Sequence, residues 1–82
     1  MIDIEAHLVP LNLPSHVHAQ AAQLLRAIAG AHNLYDTLQA ATRAEGFGLD
    51  LETLKTQSPA CQEWLFMAFD AAVQARQTEL RT

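Results

Sequence analysis

A regular spacing of apolar residues in the first half of the chain constrains the fold more than any other feature of the sequence. Seven apolar residues follow one another at alternating intervals of four and three: Val17, Ala21, Leu24, Ile28, Ala31, Tyr35 and Leu38. This is the heptad spacing of a helix that packs against another helix along one face. We therefore expect one long helix over residues 15–44, which begins at Pro14 and Ser15 and ends before Gly46.

Gly30 leaves a second interpretation open for the same segment. Glycine inside a helix costs about 1 kcal/mol relative to alanine, so the first helix could end at Gly30 and a second could begin with Asn33 as its N-cap. We favour the continuous helix because the heptad phase passes through Ile28 and Ala31 without a break. A helix of about thirty residues would be about 45 Å long, which suits a hairpin or a dimer.

Start signals in the second half of the chain predict two further helices. Asp50 stands where an N-cap would open a short helix over residues 51–57. Ser58 and Pro59 are a serine cap followed by a proline at the first helical position, which predicts a long helix over residues 59–80.

The first fourteen residues differ from the rest of the chain. Apolar and acidic residues alternate from Ile2 to Glu5, and Pro10 and Pro14 interrupt any helix. We expect residues 1–14 to form an extended arm. The arm packs as coil along the helices of its own chain or, alternatively, pairs as a strand with another chain.

Together these segments predict an all-α fold in a single small helical domain over residues 1–82. Fifteen alanines with only three glycines and three prolines are typical of helices joined by short connections. We expect a helical hairpin of two long antiparallel helices with a short bridging helix and the extended arm. Two such hairpins would complete a four-helix-like bundle as a homodimer, and a domain-swapped dimer fits the heptad face equally well.

Length and charge exclude several classes of function. A chain of 82 residues is too short to bury a core and also form a deep substrate cleft, so we expect no enzyme. Five scattered basic residues do not form the stripe that neutralises a nucleic-acid backbone. No long apolar segment occurs, and acids stand near the N-terminus where a signal peptide carries bases. We expect a cytoplasmic protein that neither enters a membrane nor binds nucleic acid.

Histidine and cysteine suggest neither a metal site nor a nucleophile, and we expect no cofactor. His16 and His18 could in principle bind a metal ion together with His7, His32 or Cys61. Metal ligands on one face of a helix are three or four residues apart, however, and His16 and His18 point about 200° apart. Cys61 lies in the first turn of a helix, where the helix dipole lowers the pKa of a thiol. This position alone is weak evidence for a nucleophile. We favour the alternative that Cys61 is a compact apolar residue that faces the helical hairpin.

The strongest functional signal is an apolar run from Trp64 to Phe69. Six consecutive apolar residues cover the whole circumference of a helix, which is more than a hairpin can bury. Leucines of the arm, at positions 8, 11 and 13, would cover part of it within one chain. We favour the alternative of an interface, because aromatic residues and methionine are enriched in interfaces. The predicted partner-binding residues are Trp64, Phe66, Met67, Phe69 and Val73.

Acidic residues are expected to steer the partner toward this surface. The net charge is −4, and Asp3, Glu5, Asp50 and Glu52 would make one end acidic if the arm folds back onto the bridge. The alternative is a solvated acidic end that aids solubility. These features predict a small acidic module that binds a larger protein with a basic surface and regulates, inhibits or chaperones it. A non-catalytic accessory subunit of an enzyme complex is the second hypothesis.

Antitoxins, immunity proteins, secretion chaperones and phage-encoded inhibitors of bacterial defence systems often have this size and charge. The likeness to these bacterial and phage proteins is one of size and charge and rests on no shared motif.

Overall fold

Four α-helices and one 3-10 turn make up the computed structural model, which describes residues 4–55 and 57–81 except for the side chains of residues 5 and 7. The elements in chain order are α1 (Ile4–Leu8), the 3-10 turn (Val9–Leu11), α2 (Ser15–Ala29), α3 (Leu34–Leu54) and α4 (Pro59–Arg81). The described residues contain no strand, and the all-α expectation is confirmed.

Helices α2, α3 and α4 pack against one another in a body of 38 × 23 × 19 Å. Leu8, Leu25, Ile28 and Leu65 are completely buried at its centre, where α1 also joins the core. The most extensive pairing is between α3 and α4. The two run antiparallel, since Phe47 contacts Phe69 and the carbonyl of Ala31, ahead of α3, contacts Arg76 farther along α4. Three packed helices thus replace the expected two-helix hairpin.

The continuous helix expected over residues 15–44 is wrong, and the interpretation with a break is correct. Helix α2 ends at Gly30, whose N–H donates to the carbonyl of Arg26. Asn33 then caps α3 with extended backbone, and its side-chain oxygen accepts from the amide of Asp36 at 2.8 Å. The break shifts the buried face, so Tyr35 and Leu38 of the heptad are exposed. The buried residues of α3 are instead Thr37, Ala40, Ala44, Gly48 and Leu51.

The N-terminal arm is helical, not extended. It forms α1 and the 3-10 turn, which ends at Asn12 with φ of 52° and with its N–H donating to the Val9 carbonyl. Helical turns satisfy the backbone hydrogen bonds locally, which a lone strand cannot do. Leu8 is completely buried, and Leu11 and Leu13 pack against the core. Residues 4–13 therefore pack against the helices of their own chain, as in the first of the two alternatives, but as helical turns and not as coil.

The separate helix expected over residues 51–57 is wrong, because α3 continues through both glycines to Leu54. It ends at Lys55, whose φ of 54° is left-handed and whose N–H donates to the carbonyls of Glu52 and Leu51. Asp50 therefore lies inside α3 and caps nothing. The start of α4 is as expected, since the Ser58 hydroxyl accepts from the Cys61 amide at 3.2 Å.

Candidate functional site

The apolar run of α4 contributes to the core and to two different parts of the surface. Leu65, Ala68 and Phe69 lie in the core, and Phe69 is only 4% exposed. Trp64 and Met67 are 59% and 53% exposed. These two side chains line different cavities, Met67 the one between α3 and α4 and Trp64 one beside the 3-10 turn, although residues three apart on a helix point only about 60° from each other. The run is therefore partly core and partly surface.

A groove between α3 and α4 holds the surface part that lies next to α3. It consists of two adjoining cavities of about 760 and 500 Å³, which share Glu52, Phe66 and Asp70. Its apolar residues include half-buried Phe66 and Val73 and exposed Leu49 and Met67. From Pro59 to Val73 the groove follows α4 for about 21 Å at about 1.5 Å per residue. We call this surface the acidic groove, for the reason that follows.

Carboxylates flank the apolar residues of the acidic groove. Four acids contribute to its lining, two from each helix: Glu45, Glu52, Glu63 and Asp70. The only basic residue among the groove-lining residues is Lys55, at the Pro59 end, which leaves a formal charge of −3 there. All four carboxylates belong to exposed residues. An apolar strip between rows of carboxylates attracts a ligand that is itself apolar along one side and positively charged along its edges.

Close approach of the two helices shapes the wall of the groove. A Cβ atom on Gly48 would lie 2.6 Å from Cε1 and 2.7 Å from Cζ of Phe66. The Phe66 ring therefore occupies the space that any larger residue at position 48 would fill. Gly48 is the contact that lets the ring lie between the helices at the groove.

Gln62 brings a buried polar group to the same place. The residue is 7% exposed, lines the groove near Pro59, and donates from Nε2 to the Gly48 carbonyl. Its Oε1 accepts no hydrogen bond from the described residues. An unsatisfied buried acceptor is uncommon and costs free energy.

The expected site residues are only partly brought together. Phe66, Met67, Val73 and Glu52 line the acidic groove. Phe69 borders the groove but belongs to the core, where its ring contacts Phe47 edge to face at 6.5 Å.

The remaining expected residues lie elsewhere. Trp64 lies on the other flank of α4, beside Pro10 and Leu11 of the 3-10 turn. Asp50 is exposed on α3 away from the groove. Asp3 and the side chain of Glu5 lie outside the described residues.

Sequence reasoning did not identify Leu49, Gln62 or Asp70 as site residues, and it did not place Glu45 and Glu63 among the acids that steer the partner. A signal for this face exists in the sequence. Acids and apolar residues alternate at intervals of three and four in two series, one on each helix: Glu45, Leu49 and Glu52, and Glu63, Met67 and Asp70. Only the antiparallel pairing of α3 with α4 shows that the two series face one groove.

Cys61, the candidate nucleophile, lies in surroundings that do not activate its thiol. Burial raises the pKa of the Cys61 thiol, which opposes formation of the nucleophilic thiolate. Its Sγ lies 3.7 Å from Oε1 of Gln57. Among the described side chains, no three histidine, cysteine or acidic residues are grouped closely enough to hold a metal ion.

Comparisons with known proteins give no relative from which a function could be inferred. No protein-family model, curated protein or solved structure matches this chain. Within the described part of the chain, no helix is both long and apolar enough to cross a membrane.

Proposed function

We propose that this chain is a small acidic binding protein that docks onto a larger protein through the acidic groove and regulates, inhibits or chaperones it. The observation that carries the proposal is the groove itself. Half-buried Phe66 and Val73 line the groove, and exposed Leu49 and Met67 alternate with carboxylates on the two helices that form it. Apolar patches with polar rims are typical of protein interaction sites.

Affinity purification with matched variants tests this proposal. Met67→Ser removes an exposed apolar side chain from the groove, and Val9→Ser removes one of similar exposure from the 3-10 turn. Both variants should fold, because neither side chain is part of the core. Proteins from a lysate of the source organism that wild type and Val9→Ser retain, and that Met67→Ser loses, would be partners of the groove.

The outcome also separates the proposal from its alternatives. A catalytic chain among the lost proteins would indicate the accessory subunit of an enzyme. Loss of the same proteins by Trp64→Ser, with no effect of Met67→Ser, would move the binding surface to the other flank of α4. Equal retention by all three variants would contradict binding through the apolar residues of α4.

We also propose that the chain forms the homodimer expected from the sequence, through a surface of α3 outside the acidic groove. Leu34, Tyr35 and Leu38 are exposed in the first turns of α3 and do not line the cavities of the acidic groove. A second copy that covers them would remove apolar surface from water. Molar mass by light scattering over a hundredfold dilution, for wild type and Tyr35→Ser, tests this association.

A further inference from the structure

We infer that the occupant of the acidic groove is a basic amphipathic helix of about fourteen residues contributed by another protein. This inference rests on the proposed function and specifies the chemistry of the partner. Three properties of the groove support it: its length, its apolar strip and the arrangement of its charges.

The length of the groove fits a helix better than a compact ligand. The two cavities share Glu52, Phe66 and Asp70, so they form one elongated depression along α4. A distance of about 21 Å corresponds to about four helical turns. Helices that dock in such grooves present apolar residues at intervals of three and four along one face. On α4, Phe66 and Val73 are seven residues apart, which is two helical turns, so both would contact that face.

The charges determine which amphipathic helix fits. Carboxylates stand on both sides of the apolar strip, with Glu45 and Glu52 on α3 and Glu63 and Asp70 on α4. A docked helix therefore needs lysine or arginine on both edges of its apolar face. Opposite charges at these edges would raise the association rate and fix the register of the helix.

The same charges argue against a second copy of this chain as the occupant. In a two-fold symmetric dimer a patch meets itself, so carboxylates of one groove would face carboxylates of the other. Like charges in apposition are unfavourable. Lys55 alone cannot compensate for them.

Gln62 adds an independent reason to expect a polar contact from the occupant. Its residue is more than nine-tenths buried, lines the groove, and keeps an acceptor, Oε1, that no described donor reaches. A donor on a docked helix, such as a lysine ammonium, would satisfy this acceptor after a small shift of the amide. Gln62→Met keeps the size of the side chain and removes the acceptor, so it should weaken binding even though it adds apolar surface.

Three synthetic peptides of about fourteen residues test the inference by fluorescence anisotropy. The first is a helix with leucines along one face and lysines on both edges. The second has glutamate in place of every lysine, and the third has the composition of the first in an order without a helical face. We expect the first to bind saturably and to weaken several-fold between about 50 and 500 mM salt, while the other two do not bind.

Matched charge reversals on α3 locate the contact. Glu52→Lys places a positive charge in the groove, and Asp50→Lys makes the same change about 200° away around α3. Glu52→Lys should weaken binding of the basic peptide about 2- to 5-fold, and Asp50→Lys less than about twofold. The double variant Glu52→Lys with Asp70→Lys should gain affinity for the acidic peptide. Circular dichroism of each variant confirms that the helices are retained.

Four results would overturn the inference. Equal binding of the acidic or the reordered peptide would show that neither charge nor helical order matters. Equal effects of Glu52→Lys and Asp50→Lys would show that only net charge matters. A dimer of wild type that Met67→Ser dissociates would identify a second copy as the occupant.

The fourth result separates the inference from the proposed function. If the basic peptide does not bind but Met67→Ser loses partners in the affinity purification, the proposed function stands and its helical occupant is wrong. If no peptide binds and no partner is lost, both fail.

Discussion

Replacing each of the two glycines of α3 by alanine tests how the groove wall is formed. Alanine favours a helix over glycine by about 1 kcal/mol, and this gain applies equally at both positions. Gly46 is exposed, and an added Cβ atom would meet no atom within 4 Å. Gly46→Ala should therefore stabilise the protein by about 0.5–1 kcal/mol.

Gly48→Ala has the same gain in helix propensity but a different neighbour. Its Cβ would lie 2.6 Å from Cε1 of Phe66, where carbon atoms normally keep about 3.5–4.0 Å. The ring must move by about 1 Å, and such overpacking costs about 1–3 kcal/mol. The net effect should range from no change to a loss of about 2 kcal/mol, so the two variants should differ by about 1–3 kcal/mol.

Urea unfolding followed by far-ultraviolet circular dichroism measures this difference in the free energy of unfolding. A Phe66→Ala background is the decisive control, because it removes the ring that the new Cβ atom would meet. In that background Gly48→Ala should stabilise the protein as much as Gly46→Ala does. If Gly48→Ala is equally stabilising with Phe66 intact, the ring does not determine the approach of α3 to α4 and the reasoning fails.

Four further predictions follow from individual contacts. Phe69→Ala should lower the free energy of unfolding by about 3–5 kcal/mol, as expected for a core aromatic; a loss below about 1 kcal/mol in urea unfolding would place this residue outside the core. Asn33→Ala should cost about 1 kcal/mol by removing the cap of α3, whereas Asn33→Asp, which keeps an acceptor, should cost little. Arg76→Ala should cost about 1.5–3 kcal/mol because Nε donates to the Ala31 carbonyl at 2.7 Å, and an unchanged unfolding midpoint would argue against that bond. Cys61 should react with iodoacetamide more slowly than a free thiol at neutral pH, since its raised pKa leaves less thiolate; a faster reaction would contradict burial as the dominant influence.

Local signals in the sequence located the starts of α2 and α4. Ser58 and Pro59 open α4 because a capping hydroxyl and a proline act on their own first turn and need no tertiary contact. The same holds for Asn33, which caps α3 at the position that the less favoured interpretation gave it. The heptad spacing misled because periodicity reports which residues are apolar and carries no information about a break. Because α3 is a separate helix, its buried face is not a continuation of the buried face of α2. Tyr35 and Leu38 are therefore exposed although they continue the heptad spacing of Ile28.

Tertiary packing decided what local preference could not. Glycine disfavours a helix, so the sequence at Gly46 and Gly48 indicates a helix end; yet α3 continues there because Gly48 gives the Phe66 ring room between two helices. The arm likewise packs as a helix, with α1 against α2 and Leu8 buried in the core, and no local signal in the sequence indicates this.

The acidic groove could not be predicted from the sequence, because it also depends on tertiary packing. Each helix carries its own series of acids and apolar residues at helical spacing, and this much the sequence determined by itself. Glu52 and Asp70 line one groove only because α3 and α4 are antiparallel in a particular register. That register depends on side-chain contacts between residues far apart in the chain, such as Gly48 with Phe66, which no local rule specifies.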